Sequence, residues 1–324
     1  MKLNSSNLFF LSFMIVGIML CLCSNNWIFI WCGLELSLIT FLPLMQNKLI
    51  ISSESILKYF IIQSVSSTIL ILGLLMMVVM KFNYEFMISI ALMMKMGIGP
   101  FHLWLLSVMS GLHSVPMILL LTVLKISPLV ILSLVNTISN SIFIMITMLA
   151  GSISGLNQNS TKKIIAYSSI FNMGLILMVI KNNSIWLCYL FIYSIMMLIL
   201  ISLMLNLNLI YINQIIFNED LMWNKMNLWL ILLSMGGMPP LIGFTIKLMV
   251  IEFTISNFLI FNTMLIVLLS LLIMYFYLRM TYLSLMFFTV SPKWMLLNLK
   301  KLSSSIMLIN ILSLPMILVM ELFN

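Results

Sequence analysis

Apolar runs of about twenty residues, each closed by a few polar ones, follow one another along nearly the whole of this chain. A helix that crosses the hydrocarbon core of a bilayer needs about 20 mainly apolar residues. Charged residues make up only 7% of the 324 and hydrophobic residues 63%, whereas a soluble domain is about 25% charged because it must cover its core with solvated groups. No water-facing surface can be built from so little charge. The sequence therefore predicts an all-α fold, a polytopic membrane helical bundle whose solvent is mostly lipid.

Eleven transmembrane helices fit the apolar runs, near 7–23, 26–45, 55–80, 84–109, 112–134, 138–156, 162–180, 184–206, 228–254, 259–288 and 303–322. Only the connections 207–227 and 289–302 are long enough to hold anything outside the bilayer, so a single transmembrane domain over 1–324 is expected, with no soluble domain. Met1-Lys2 and the apolar run after it have the look of a signal peptide. The second span starts almost at once, so the run is read as the first membrane helix.

Cys21, Cys23, Cys32 and Cys188 all lie in or beside apolar spans. Their spacing matches no metal or cluster site, and they are read as small packing residues. The sequons at Asn159 and Asn182 carry little weight in a chain rich in Asn and Ser. There are 33 Met but only 12 Gly, 8 Pro, three Ala and one Arg. Residues with GC-rich codons are nearly absent, which points to an AT-rich organellar genome and makes the methionines core filler.

When loop charges are assigned to alternate sides, Lys2, Lys48, Lys58, Lys162, Lys163, Lys225, Lys293, Lys300 and Lys301 fall with the N-terminus, and only Lys81 and Lys181 fall opposite. This positive-inside bias predicts an N-terminus on the matrix (or cytoplasmic) side and, after eleven spans, a C-terminus on the opposite face. The net charge of +8 then reads as topology and lipid contact, with no nucleic-acid partner.

Most charges sit at span ends, where Lys can snorkel. Glu54 and Lys58 form an i, i+4 pair at the start of a helix, and Glu85 and Arg279 read as interfacial. Glu35, Lys95, Lys125 and Lys247 do not fit that pattern, because each lies well inside an apolar span. A Lys at a membrane-helix centre costs about 2.5–3.5 kcal/mol even on lenient scales. Snorkelling or a buried ion pair would account for one such residue. Three lysines and a glutamate on separate helices point instead to a row of ionisable groups near mid-membrane.

Three of these residues accompany helix breakers. Pro100 frees the carbonyl of Met96 beside Lys95, and Pro128 frees that of Leu124 beside Lys125. Gly236-Gly237-Met238-Pro239-Pro240 interrupts the span carrying Lys247. Non-helical backbone at membrane depth persists only inside protein or against a wet cavity. Lys95 and Lys247 each fall on the fourth span of a five-span half, about 7–134 and about 138–288. Matching broken helices of this kind predict two inverted five-helix repeats, followed by a C-terminal helix. His102 follows Lys95 by seven residues, one face of a continuous helix, and is a possible relay; His113 lies near a span boundary.

At these residues the chain resembles the mitochondrial NADH dehydrogenase subunit 2 family, antiporter-like membrane subunits of respiratory complex I. The motifs are Trp31-Cys-Gly-Leu-Glu35, Glu54-Ser-Ile-Leu-Lys-Tyr-Phe60, Lys95-Met-Gly-Ile-Gly-Pro-Phe-His-Leu-Trp104, Gly155-Leu-Asn-Gln158, Ala166-Tyr-Ser-Ser-Ile170 and Gly236-Gly-Met-Pro-Pro-Leu-Ile-Gly-Phe244. They occur in the family's order and cover essentially the whole chain. The resemblance implies a short animal-type member that lacks three N-terminal helices. It makes Glu35 and Lys95 the family's glutamate–lysine pair, Lys125 its central relay lysine and Lys247 the lysine of the second broken helix. The chain departs from the family at Asn172, where many members carry His, and at Leu106-Ser107, where many carry Pro followed by an acidic or amide residue. Lys247 also lacks the flanking Pro and Trp often seen.

The resemblance further implies the mitochondrial inner membrane, NADH dehydrogenase subunits 4 and 4L as neighbours, and phospholipid contact, cardiolipin above all. NADH, flavin, iron–sulfur clusters and ubiquinone would be bound by partner subunits. From the residues, this chain has no dinucleotide fingerprint, Walker loop or cysteine set for a cluster, so no cofactor or metal is expected on it. The predicted function is proton translocation coupled to NADH-to-ubiquinone electron transfer in those partners. The competing readings are a stand-alone cation/proton antiporter of the same fold and a purely structural membrane subunit. At about 10 Å and an effective dielectric near 20, a charge pair is worth roughly 1.7 kcal/mol, against roughly 3.5 kcal/mol to move one proton through about 150 mV. Several such pairs would be needed per proton.

Overall fold

Helix is the only regular structure among the described residues, apart from an isolated antiparallel bridge between Ser160 and Tyr211. A computed structural model describes residues 5–47, 49–80, 85–135, 140–207, 209–217 and 222–285. Lys2, Lys48, Lys81, Glu219, Asp220, Lys293, Lys300, Lys301, the connection 289–302 and the helix expected at 303–322 lie outside them, as does the side chain of Lys225. The helices are α1 (Ser5–Cys23), α2 (Trp27–Met45), α3 (Ile50–Met80), α4 (Glu85–Met96), α5 (Leu103–Gly111), α6 (Ser114–Leu121), α7 (Val123–Leu134), α8 (Asn140–Gly155), α9 (Thr161–Met178), α10 (Asn183–Asn206), α11 (Gln214–Phe217), α12 (Met222–Gly236), α13 (Ile242–Ser256) and α14 (Ile260–Leu285).

Among the described residues, six helices are long and apolar enough to cross a membrane: α1, α2, α3, the pair α6–α7, α10 and α14. The other spans expected within these residues fall on α8, α9 and the interrupted pairs α4–α5 and α12–α13. Large apolar side chains such as Ile28, Phe191, Phe261 and Leu268 face outward, as a lipid-facing surface requires. Serines and threonines inside the helices hold their hydroxyls on the preceding turn, as Ser66 does on Gln63 and Thr147 on Ile144. In this way the chain carries many hydroxyls through an apolar medium without stranding them.

The chain divides into two compact units, Met1–Thr147 and Met148–Asn324. In the first, α1 and α2 pack closely because Gly17 and Gly33 face each other. A Cβ on Gly17 would meet the Gly33 carbonyl at 2.9 Å, the close small-residue approach that holds membrane helices together. In the second unit, α9 is buried from Ile164 to Met178 around its whole circumference, which makes it the core helix there.

Both interrupted pairs break in the same way. At the end of α4, Ile98 N–H donates to Met93 O and Gly97 N–H to Met94 O, with Gly97 at φ 71°. At the end of α12, Met238 N–H donates to Leu233 O and Gly237 N–H to Ser234 O, with Gly237 at φ 85°. This is the Schellman termination, which needs a left-handed residue that glycine adopts without a Cβ clash. The expected breaks in spans four and nine are therefore present. The break beside Lys125 lies elsewhere than expected. Pro128 sits within α7, and the helix is interrupted at Thr122, whose hydroxyl bonds back to Ile118 O. The proline withdraws a donor and crowds the preceding turn, and the helix relieves that strain upstream.

The described residues of the connection 207–227 are bonded to the rest of their unit. They include α11, and Thr161 N–H bonds Ile210 O while Ile212 N–H bonds Asn159 O, both at 3.1 Å. Arg279, read from the sequence as interfacial, places its half-buried guanidinium on Leu156 O and Gln158 O, at 2.9 and 2.6 Å. It ties the α8–α9 turn to α14.

Candidate functional site

Three of the four intramembrane charges meet inside the first unit. The apolar spacing of α2 turns Glu35 inward, the Schellman break leaves Lys95 in the last turn of α4, and α7 carries Lys125. Lys95 Nζ lies 3.8 Å from Glu35 Oε1, an ion pair too long to be a hydrogen bond. Lys95 is 9% exposed and Lys125 4%. Among the described residues, Lys125 Nζ has no hydrogen-bond partner.

The two lysines open onto a common cavity of about 30 Å³, lined also by Ser37, Tyr59, Gln63 and Ser127. That is room for water, which needs at least about 10–15 Å³ and two or more polar partners. The break around Lys95 is held by side chains from neighbouring helices. Trp104 Nε1 donates to Met94 O and Gln63 Nε2 to Lys95 O, each at 3.1 Å. Neither residue is singled out by sequence as functional. A lone Gln inside the apolar run of α3 is the one signal that pointed there.

The second unit holds Lys247. Its Nζ donates to Gly236 O at 2.6 Å, folding the side chain back against the break that precedes α13. A Cβ on Gly237 would sit 2.8 Å from that Nζ, so the glycine is needed for space as well as for its φ. The expected polar backbone beside a buried lysine is realised here as a direct bond.

His102 stands immediately before α5 and makes no side-chain capping bond. The expectation that it shares a helical face with Lys95 does not hold, because Gly97 ends α4 between them. Glu54 and Lys58 form the expected exposed pair, at 2.5 Å. Cys21 is buried and its thiol donates to Ile30 O at 3.4 Å, a packing role. No group of three or more His, Cys, Asp or Glu among the described residues is arranged to hold a metal.

A cluster in the second unit has no counterpart among the residues singled out by sequence. Tyr189 donates to Asn172 Oδ1 at 2.9 Å, and Tyr193 and Tyr277 are buried beside them. Asn172 stood out only as a departure from the family pattern. The four-residue spacing of Tyr189 and Tyr193 on an apolar helix was the available signal.

The family model described as NADH:quinone oxidoreductase/Mrp antiporter, TM matches residues 24–87 and 79–273. The chain is 38% identical to NADH-ubiquinone oxidoreductase chain 2 of Anopheles gambiae, over 97% of this chain and 96% of that one. In fold it is similar to a chain of respiratory complex I from Thermus thermophilus, with a TM-score of 0.76 at 17% identity, covering 87% of this chain and 71% of that one. It is also similar to a chain of the Mrp complex from a Dietzia species, with a TM-score of 0.74 at 15% identity, covering 84% and 59%.

Proposed function

The chain belongs to the NADH:quinone oxidoreductase/Mrp antiporter transmembrane family, and from that premise we propose that it is a core membrane subunit of mitochondrial respiratory complex I which translocates protons through Glu35, Lys95, Lys125 and Lys247. The electron transfer from NADH to ubiquinone belongs to partner subunits, with subunits 4 and 4L as its membrane neighbours. The N-terminus lies in the matrix and the C-terminus in the intermembrane space, across eleven spans arranged as two inverted repeats and a final helix. Cardiolipin contacts its surface.

The observation that carries this reading is the Glu35–Lys95 pair, whose lysine opens on a cavity that Lys125 also lines. At 3.8 Å and an effective dielectric near 20, the pair attracts by about 4 kcal/mol. Moving a proton through about 150 mV takes roughly 3.5 kcal/mol. A contact pair is thus matched to one proton, where pairs about 10 Å apart would have to be summed. Adding or removing the carboxylate's charge changes how tightly Lys95 holds its proton. Water in the cavity gives that proton a way to Lys125, whose amine has no competing hydrogen-bond partner among the described residues. Lys247 serves the second unit in the same capacity, and His102, at the start of α5, is a possible relay.

Isolation from native membranes under mild detergent tests the assignment. Co-purification with an NADH-oxidising complex is the expected result. The fold similarity to the Mrp complex chain keeps a second reading in view, a stand-alone cation/proton antiporter. Recovery as a free homodimer that exchanges cations for protons would favour it.

A further inference from the structure

The tyrosine cluster of the second unit has the chemistry of a proton relay. Tyr189 and Tyr193 lie one turn apart on α10, Tyr277 is on α14, and Ser168, Ser169 and Asn172 are on α9; none of the six is more than 6% exposed. The Tyr189 hydroxyl donates to Asn172 Oδ1 at 2.9 Å. Ser169 and Asn172 stand beside the Tyr193 phenol and Ser168 beside that of Tyr277. Among the described residues, the hydroxyls of Tyr193 and Tyr277 nevertheless make no hydrogen bond of acceptable geometry. A buried tyrosine hydroxyl ordinarily finds a partner, and phenylalanine would pack in the same space without that burden. Two orphan hydroxyls in one pocket are therefore polar groups aimed at something small and polar.

The α14 member of the cluster also adjoins the residue that Lys247 bonds. The Cβ end of Tyr277 lies against Gly236, where an added Cβ would lie 3.8 Å from Tyr277 Cβ. The Gly236 carbonyl is the group that accepts from Lys247 Nζ. We propose that Tyr189, Tyr193 and Tyr277, with Asn172 and water molecules held by the two orphan hydroxyls, form a relay that delivers protons to Lys247 and takes them from it. A phenol is both donor and acceptor. Each hydroxyl receives a proton on an oxygen lone pair as it passes its own proton on, so no tyrosine is oxidised and none keeps a charge. Asn172 orients Tyr189 and does not itself carry the proton. The relay rests on the proton-carrying role proposed above for Lys247.

The test uses the assembled complex carrying Tyr277→Phe, Tyr193→Phe, both together, or Lys247→Met. NADH oxidation by a soluble acceptor, proton uptake coupled to quinone reduction, and the solvent deuterium isotope effect on coupled turnover are measured for each. The double variant should oxidise NADH normally and lose at least about ten-fold in coupled proton uptake, the size expected when even one of its two hydrogen-bonding groups leaves a transfer path. Its isotope effect should rise, which a packing defect would not cause. Wild-type uptake in the double variant with loss in Lys247→Met overturns the relay and leaves the lysine in place. Wild-type uptake in Lys247→Met removes the lysine and the relay together. If Tyr277→Phe does not assemble, Tyr193→Phe alone decides, and unchanged uptake with an unchanged isotope effect overturns the proposal.

Discussion

Lys95 and Lys247 both sit at a Schellman break, but on opposite halves of it: Lys95 closes the first half-helix, α4, and Lys247 belongs to the second, α13. Lys95 therefore needs a carboxylate from another helix, Glu35 at 3.8 Å, while Lys247 reaches back to its own break and bonds Gly236 O at 2.6 Å. The same backbone device positions two amines with different partners.

Lys95→Met, made in a tractable homologous complex, should leave NADH oxidation by a soluble acceptor intact and strongly reduce quinone-coupled turnover and proton uptake. Lys58→Met removes the same charge from an exposed span-end pair and should do neither. If Lys95→Met assembles and pumps at the wild-type proton-to-electron ratio, the buried charges are structural.

Gly237→Ala forces an L-residue into φ 85° and brings a methyl to 2.8 Å from Lys247 Nζ. Left-handed backbone alone costs about 1–2 kcal/mol. Coupled turnover should fall further than stability, because the methyl displaces the ammonium from Gly236. Gly236→Ala, where the nearest atom lies at 3.6 Å, should be milder in both assays. Equal effects of the two substitutions would mean that the lysine's placement is immaterial.

Gln63→Leu takes away the donor that satisfies Lys95 O. An unsatisfied buried carbonyl costs about 1–3 kcal/mol, so the thermal stability of the assembled subunit should drop and the proton-to-electron ratio should change with it. A stability loss with unaltered coupling would confine Gln63 to structure.

Arg279→Gln breaks two charge-assisted bonds to the α8–α9 turn, each worth about 1.5–3 kcal/mol. Proteolysis within 156–160 in native membranes should become faster, with pumping in the surviving complex unchanged. Resistance equal to wild type would show that the bridge between Ser160 and Tyr211 holds the turn alone.

A thiol label confined to the matrix side should reach residues near Lys162, as the lysine bias requires. Labelling from the intermembrane side would reverse the orientation.

Much of this architecture is readable in residue order, and the reason is physical. In lipid, a run without charge has few alternatives to a helix, so Ser5–Cys23 or Asn183–Asn206 can be drawn from composition alone. Gly236-Gly237-Met238-Pro239-Pro240 announces a break because two residue types that cannot propagate a helix occur together. Thr122 gives no such notice: its kink arises from Pro128, six residues on, and from a hydroxyl whose partner is on its own helix. The charges Glu35, Lys95, Lys125 and Lys247 stand out because burial penalises them individually. Tyr189, Tyr193 and Tyr277 do not, since a tyrosine is unremarked in any apolar run until its hydroxyl is located. His102 shows the opposite failure. Its seven-residue spacing from Lys95 carries meaning only along an unbroken helix, and Gly97 breaks that helix.

The bond from Lys247 to Gly236 has an electrostatic side. Gly236 is the last residue of α12, and the carbonyl end of a helix carries the equivalent of about half a negative charge from its aligned peptide dipoles. The ammonium of Lys247 therefore faces a counter-ion made of backbone, which no acid substitution can remove and no proton can neutralise. Glu35 can be discharged by protonation, and its hold on Lys95 then vanishes; the pole of α12 is permanent. The two units would thus differ in kind, one lysine answering to a partner that switches and the other to one that does not.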